Sequence, residues 1–175
     1  MKSPAAALLP DLAPLGRASD YLEDILEVLS PHALFEGFSV GECGELCEYL
    51  ACFGAPSNTT IIKEGEPGNF LMIVLTGRVH VVKQGAGGEA RVVAAVGPGA
   101  FLGEMSLIDG KPRFASCVSA EPTDLAVLTR DKLNAIMVDH PRLGQKLLLM
   151  LLRHTTARLR ETTVRMLPHL VDGAV

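Results

Sequence analysis

The segment from Gly103 to Val118, GEMSLIDGKPRFASCV, contains groups that together could bind a sugar phosphate. Glu104 carries a carboxylate that can accept a hydrogen bond from a sugar hydroxyl. Arg113 carries a planar, permanently charged guanidinium that suits phosphate oxygens. Between them, the residues from Ser106 to Gly110 predict one turn of helix that ends at a glycine, and the free N–H groups at a helix start also suit a phosphate. The segment therefore predicts a pocket for a small anionic sugar phosphate.

The same residues resemble the phosphate-binding cassette of the cyclic-nucleotide-binding domain family, which includes the bacterial cAMP receptor regulators and kinase regulatory subunits. The family pattern is Gly-Glu, a short helix, and then Arg-x-Ala-Ser/Thr. Gly103-Glu104 and the run from Pro112 to Ser116 match it in order and at similar spacing. The resemblance extends from near Leu34 to near Met166. The alternative is an ordinary strand–turn–helix corner with a surface arginine, because motif matches include false positives.

The resemblance implies a role for each residue of the cassette. Glu104 would hold the ribose 2′-hydroxyl and Arg113 would pair with the cyclic phosphate of cAMP, with cGMP and cyclic di-GMP as alternative ligands. Phe114 departs from the family, in which this position is usually small, and this departure bears on ligand identity. The expected ligand-binding set also includes backbone groups and a strand residue that would press on the base: Val93, Gly103, Glu104, Met105, Ser106, Arg113, Phe114, Ala115 and Ser116.

Short apolar runs separated by glycine turns predict that most of the chain is β-structure. They favour a β-roll or jelly roll with flanking N-terminal helices and a long C-terminal helix, which is also the fold that the resemblance implies. The expected strands are 59–62, 70–75, 78–83, 90–96, 115–120 and 124–128, and a short helix capped by Thr129 or Asp131 follows to about Asp139.

The N-terminal third is expected to be helical after an irregular start. Residues 1–19 are rich in Ala, Pro and Leu and predict a mobile arm. Ser19 or Asp20 could cap an amphipathic helix that ends before Pro31. A second helix is expected over residues 41–53, with the apolar stripe Cys43, Leu46, Cys47, Leu50 and Phe53. We expect an arm and helix over residues 1–30, the domain over 31–167, and a tail over 168–175.

The last helix is expected from Arg142 to about Leu167, with Pro168 ending it. Its first half is apolar on all sides, which predicts burial on more than one face. Leu148, Leu152, Thr155, Leu159, Thr162 and Met166 follow coiled-coil spacing and favour a homodimer through residues 142–166 over packing on the same subunit alone. The resemblance implies that this helix covers the base. Thr155, Thr156 and Arg158 lie past its apolar half, where a polar or stacking contact to a purine is expected from one of the three.

Composition and charge exclude some functions. The net charge of −4 gives no global reason to expect nucleic-acid binding, and no apolar run approaches a membrane span. The start of the chain reads poorly as a signal peptide, so we expect a cytoplasmic protein. Acidic residues gather early and basic residues late, which indicates either two solvated helix faces or halves that attract each other.

No metal or catalytic site is expected. The four cysteines contain no CxxC pair and suit buried apolar positions, although oxygen-sensing relatives in the superfamily hold an iron–sulfur cluster. A cupin-type metalloenzyme would need clustered histidines, and the five histidines are scattered. No pattern of nucleophile and base stands out, so we expect a non-enzyme.

The output of such a sensor is not evident from the sequence. The run from Pro168 to Val175 is too short for a helix-turn-helix domain, so we expect no direct sequence-specific DNA binding and an unknown effector protein. The alternative function is a nucleotide-independent module of the same fold that serves for dimerisation or protein interaction. Intact Glu104 and Arg113 argue against it, because a buried arginine without an anion is costly.

Overall fold

The computed structural model describes residues 9–85 and 87–171, with side chains as far as residue 167. In this range nine strands form two antiparallel sheets. They are β1 (Ala13–Arg17), β2 (Ala51–Ala55), β3 (Thr60–Ile62), β4 (Phe70–Val74), β5 (Val79–Gln84), β6 (Ala90–Val96), β7 (Phe101–Leu102), β8 (Ser116–Ser119) and β9 (Thr123–Thr129). One sheet has the order β1-β2-β9-β4-β7 and the other the order β3-β8-β5-β6. The predicted β-roll is confirmed.

Five α-helices and two short 3₁₀ turns accompany the strands in the described range. The helices are α1 (Leu22–Leu29), α2 (Val40–Cys47), α3 (Glu104–Asp109), α4 (Arg130–Asp139) and α5 (Pro141–Val171), and the 3₁₀ turns are Ala18–Tyr21 and Ala33–Phe35. α3 lies between β7 and β8 in sequence and overlaps the predicted cassette helix. α4 begins directly after Thr129, the N-cap residue, whose hydroxyl accepts a hydrogen bond from the Lys132 amide.

Two hydrophobic cores lie on opposite faces of β4. Leu71 and Ile73 belong to the core between the five-stranded sheet and the helices, whereas Met72 and Val74 face the interior of the roll. This arrangement explains why β4 is apolar at every position, since a strand covered on both faces has no solvent side.

The N-terminal predictions need three corrections. The mobile arm was expected over residues 1–19, but Ala13–Arg17 pairs with β2, and residues 1–8 lie outside the described residues. Neither Ser19 nor Asp20 caps α1, because those residues form a 3₁₀ turn and the N-cap is Tyr21. The helix expected over residues 41–53 ends at Cys47, and its last residues belong to β2, where Phe53 packs inside the roll.

The last helix is longer than predicted and is buried on one side. It continues to Val171, so Pro168 does not end it. Leu143, Leu147, Met150 and Leu151 join the helix-side core, but Leu148, Leu149 and Leu152 remain exposed within this chain. The expectation of burial on more than one face is therefore not met by the single subunit.

One ion pair joins the acidic early part of the chain to its basic late part. The ammonium of Lys146 on α5 donates to a carboxylate oxygen of Glu42 on α2 and to the carbonyl of Gly37, each at 2.8 Å. Lys146 and the backbone of the Ser39 cap hold the pKa of Glu42 at about 2, well below its usual value. The second of the two charge interpretations is thus realised at this contact.

Candidate functional site: an anion pocket beneath the last helix

The backbone of the cassette is shaped by two glycines with positive φ. Gly103 has φ 77° directly before α3, and Gly110 has φ 71° directly after it. Both values lie in the left-handed region that glycine adopts without a Cβ penalty. The tight turn at Gly103 joins β7 to α3 without a linker. The first amides of α3 have no partner within the helix, and Arg113 contacts Gly103, the residue directly before them.

Arg113 lies in a space made for its guanidinium. Its side chain is only 4% exposed, its Nη1 donates to the Gly103 carbonyl at 2.8 Å, and its Cζ lies 4.2 Å from the centre of the Phe70 ring. A Cβ added at Gly68 or at Gly103 would collide with the guanidinium. Two glycines and an aromatic ring thus fix this cation in position.

The guanidinium of Arg113 is buried without an anion. Its Nη2 has no hydrogen-bond partner, and no acidic side chain of the described residues forms an ion pair with it. Burial lowers the pKa of Arg113 below its usual value, yet an arginine stays charged in a protein. A buried charge without a partner is costly, and the unpaired donor of a guanidinium matches a phosphate oxygen. The geometry therefore suits an anionic ligand that pairs with Nη2.

Glu104 faces α5 and not Arg113. It is 2% exposed, and its Oε1 accepts a hydrogen bond from Nη1 of Arg158 at 2.5 Å. The Arg158 side chain remains about half exposed, so this contact joins a buried carboxylate to a helix that is otherwise open to solvent. A carboxylate offers about four lone-pair sites, so Glu104 can accept a further hydrogen bond.

His154 lies one turn before Arg158 on the same face of α5. Its ring packs against Phe101 with centroids 5.5 Å apart, and its buried Nε2 has no hydrogen-bond partner among the described residues. Burial lowers the pKa of His154, which the nearby Glu104 opposes and Arg158 reinforces. The imidazole is therefore neutral at pH 7.

The predicted site residues divide into two groups. Ser106 is buried in α3, and Ala115 and Ser116 are half-buried beside Arg113, whereas Met105 is exposed. Val93 is exposed at a bulge of β6, the extra residue between Ala94 opposite Val81 and Val92 opposite Val82. The expected contact of Val93 with a base thus stays a prediction.

Of the three expected lid residues, only Arg158 reaches the cassette. The Thr155 hydroxyl donates to the carbonyls of Leu151 and Leu152 within its own helix, and Thr156 is exposed. The sequence did not predict where the Phe114 ring lies. Phe114 is 60% exposed, and the centre of its ring lies 4.4 Å from the Lys83 ammonium.

Sequence reasoning missed four residues of this region, namely Gly68, Phe70, Lys83 and His154. Gly68 and Phe70 lie more than forty residues before Arg113 in the sequence, and only the pairing of strands brings them to it. The dense turn from Gly65 to Asn69 was a usable signal, since a glycine there can mark a close approach. Nothing in the sequence around His154 distinguishes it from a surface histidine.

Family comparison agrees with the cassette geometry. The model of the family described as cyclic nucleotide-binding domain matches residues 54–140. A crystal structure of a cyclic nucleotide-binding domain from Methylobacillus flagellatus KT is 47% identical, covers 91% of this chain and 90% of its own, and superposes with a TM-score of 0.83. The chain belongs to the cyclic nucleotide-binding domain family.

More distant members of the family show two settings of the domain. The cyclic AMP receptor protein of Thermus thermophilus is 33% identical over 76% of this chain and 60% of that protein. The regulatory domain of Toxoplasma gondii PKA, solved with cAMP, is 32% identical over 67% of this chain and 44% of that chain, with a TM-score of 0.60. The chain spans about three-fifths of the length of the bacterial regulators it matches.

Other classes of site were sought in the described range. No group of three or more His, Cys, Asp or Glu side chains there could hold a metal ion. All four cysteines are buried, and burial raises the pKa of Cys47 and Cys117 to about 12 and that of Cys52 to about 11. None of the described helices combines the length and apolar character that a membrane crossing needs.

Proposed function

We propose that this chain is a regulatory sensor that binds cAMP and passes the signal to a partner protein, without catalysing a reaction. The observation that carries the proposal is Arg113, a buried cation whose Nη2 has no partner and whose space is kept by Gly68 and Gly103. The cyclic phosphate would pair with this nitrogen. The amides at the start of α3 and in the segment from Phe114 to Ala115 would supply further donors.

Glu104 connects the sugar to the last helix in this proposal. The ribose 2′-hydroxyl donates to the carboxylate while Arg158 stays on Oε1, because one carboxylate can accept both hydrogen bonds. Ligand and α5 then share an acceptor. Arg158 is thereby placed at the edge of the nucleotide, and α5 becomes the element that responds to its presence.

The response requires contacts that differ between the free and the bound protein. In the described structure the second half of α5 touches the roll through His154 and Arg158, and most of its other side chains are exposed. A base held under this half adds contacts that the free protein lacks. Cyclic nucleotide would therefore stabilise one position of α5 over others.

A second copy of the chain is the proposed occupant of the exposed face of α5. Leu148, Leu152 and Leu159 are exposed and follow coiled-coil spacing, and Met166 continues the row. A homodimer through residues 142–166 would cover them. Sedimentation at micromolar concentration should show a dimer, and replacing Leu152 and Leu159 by Glu should give monomers. Sedimentation of the native protein as a monomer would contradict this part of the proposal.

The exposed leucines would equally serve the alternative, a dimerisation module that needs no nucleotide. Calorimetric titration of the native protein with cAMP, cGMP and cyclic di-GMP separates the two functions. We expect saturable binding of cAMP at one site per chain and weaker binding of the other two. Absence of binding by all three would leave the interaction module as the better function.

A further inference from the structure

Lys83 on β5 holds the residue at which this chain departs from the family pattern. Its ammonium donates to the Phe114 carbonyl at 2.6 Å and lies 4.4 Å from the centre of the Phe114 ring. One cation thus fixes both the backbone and the side chain of Phe114. The ring, 60% exposed, is drawn against the Lys83 side chain.

Glu64 holds Lys83 in turn and also contacts the cassette. Its Oε1 accepts from the Lys83 ammonium at 2.5 Å, and its Oε2 accepts from the Gln84 amide at 3.0 Å. The Glu64 amide donates to the Ser116 hydroxyl at 2.9 Å. The hydrogen bonds from Lys83 and from the Gln84 amide lower the pKa of Glu64, with Lys83 as the main cause, so the carboxylate is charged at neutral pH.

Together these contacts surround the segment from Arg113 to Ser116. The Arg113 amide donates to the Glu66 carbonyl at 2.8 Å, and the Arg113 carbonyl accepts from the Gly65 amide at 2.9 Å. Ser116 begins β8 and pairs with Val82 on β5. Between these two fixed ends, the contact with Lys83 is the hydrogen bond that orients the peptide from Phe114 to Ala115 in the described structure.

We propose that Lys83 and Glu64 are positioning residues for the phosphate, a role that rests on the proposed function. They orient the Phe114–Ala115 peptide by its carbonyl, so that the Ala115 amide on the opposite side faces the anion, and they hold the large Phe114 ring away from it. A cassette with a small residue at this position needs no such restraint on a ring. Lys83 acts through Phe114 and does not itself bind the ligand.

If Lys83 and Glu64 formed only an ordinary surface ion pair, their replacement should not change ligand binding, because such pairs contribute little to stability or to a distant site. A matched control ion pair lies on the loop between β3 and β4, which also contains Glu64. Lys63 pairs with Glu66 at 3.3 Å, and both side chains are more than half exposed. Lys83 and Glu64 are 34% and 21% exposed, and Lys83 alone of the two lysines donates to the cassette.

The test is calorimetric titration of cAMP into the native protein and into Lys83→Met, Glu64→Gln, Lys83→Met/Glu64→Gln and Lys63→Met. We expect Lys83→Met to weaken binding at least about fivefold, since a charge-assisted hydrogen bond that orients the site is lost. The Lys63→Met variant should bind within about twofold of the native protein. The double variant should lose no more than Lys83→Met does, because both changes remove one arrangement.

Two further readouts separate positioning from general destabilisation. Thermal unfolding should lie at similar temperatures for Lys83→Met and Lys63→Met, and Lys83→Arg should recover most of the affinity by restoring a donor. The amide NMR signals of Phe114 and Ala115 should shift in Lys83→Met before ligand is added.

Equal affinities of the native protein and Lys83→Met would overturn this inference and leave the proposed function standing. A loss of affinity that matches a loss of folding, with no recovery in Lys83→Arg, would also overturn it. Failure of the native protein to bind cAMP would instead overturn the proposed function, and the role of Lys83 with it.

Discussion

The two halves of α5 differ in how they are held. The first half, to Leu152, places four apolar side chains in the helix-side core, and Lys146 fixes it to α2 and Gly37. The second half contacts the roll at Phe101 and Glu104, through His154 and Arg158. The first half is thus part of the hydrophobic core, whereas the second is held by one ring contact and by one carboxylate of the candidate ligand site. A helix built in this way can respond to a ligand at one end without losing its attachment at the other.

The largest change in the free energy of unfolding should come from a cavity in the first half of α5. Leu147 is 2% exposed, so Leu147→Ala should lower the free energy of unfolding by about 2–5 kcal/mol. Val164 in the second half is exposed, and Val164→Ala should change it by less than about 0.5 kcal/mol. Urea unfolding of both variants at one protein concentration measures the difference. Similar losses would show that the halves are equally packed.

Arg158 should decide whether the second half responds to ligand. Hydrogen exchange over residues 153–166 should slow when cAMP saturates the native protein, and this slowing should be lost in Arg158→Met, which keeps the side-chain length but removes the donor. Arg160→Met, an exposed neighbour on α5, should behave as the native protein does. Slower exchange confined to residues 103–116 would mean that nucleotide binds without affecting the helix.

The sugar should be recognised at the same carboxylate that holds Arg158. If Glu104 accepts from the ribose 2′-hydroxyl, 2′-deoxy-cAMP should bind the native protein about tenfold more weakly than cAMP does. Glu104→Ala should bind both sugars with nearly equal affinity. Competition titration measures the ratio, and a ratio near one in the native protein would remove Glu104 from the site.

The fold was largely predictable because its signals are local. Glycine turns between short apolar runs indicated the roll, and Ala90–Val96 was placed correctly at both ends. β1 was missed because Pro14 and Gly16 disrupt an exposed strand that only its pairing with β2 reveals. The end of α2 was missed because Leu50 and Phe53 continue a helical spacing, although Phe53 faces the other core.

The candidate site was predictable only in part, for a related reason. Gly103, Glu104 and Arg113 lie within eleven consecutive residues, so their order and spacing could be recognised. Phe70 and Lys83 reach the same site through the pairing of β4 with β7 and of β5 with β8. A single sequence does not give that register. The contact residue on α5 could be narrowed to three candidates, of which Arg158 is one. The contact of Arg158 with Glu104 depends on how α5 packs, which the sequence does not show.

Acid should affect the two halves of α5 at different pH values. Burial lowers the pKa of His154, so the unfolded chain takes up a proton before the folded one does, and stability should fall as pH drops below about 6.5. The lowered pKa of Glu42 makes its contribution present above about pH 4.5 and lost as pH falls toward about 2.

Urea unfolding between pH 8 and pH 3 can measure both contributions. The native protein should lose stability relative to His154→Gln between pH 7 and pH 5, and it should lose stability relative to Glu42→Gln only at lower pH. A pH-independent difference for His154→Gln would show that this histidine is not restrained by burial.

The central claim is that Arg113 is an anion site, and calorimetric titration of cAMP into Arg113→Ala tests it most directly. The variant should bind at least about tenfold more weakly than the native protein, because a buried charge-assisted pair with phosphate is lost. Arg17→Ala, which removes an exposed arginine distant from Arg113 in the sequence, should bind cAMP as the native protein does. Circular dichroism should show that both variants are folded, with Arg113→Gln as a second variant of closer size. Native affinity in folded Arg113→Ala and Arg113→Gln would contradict the account.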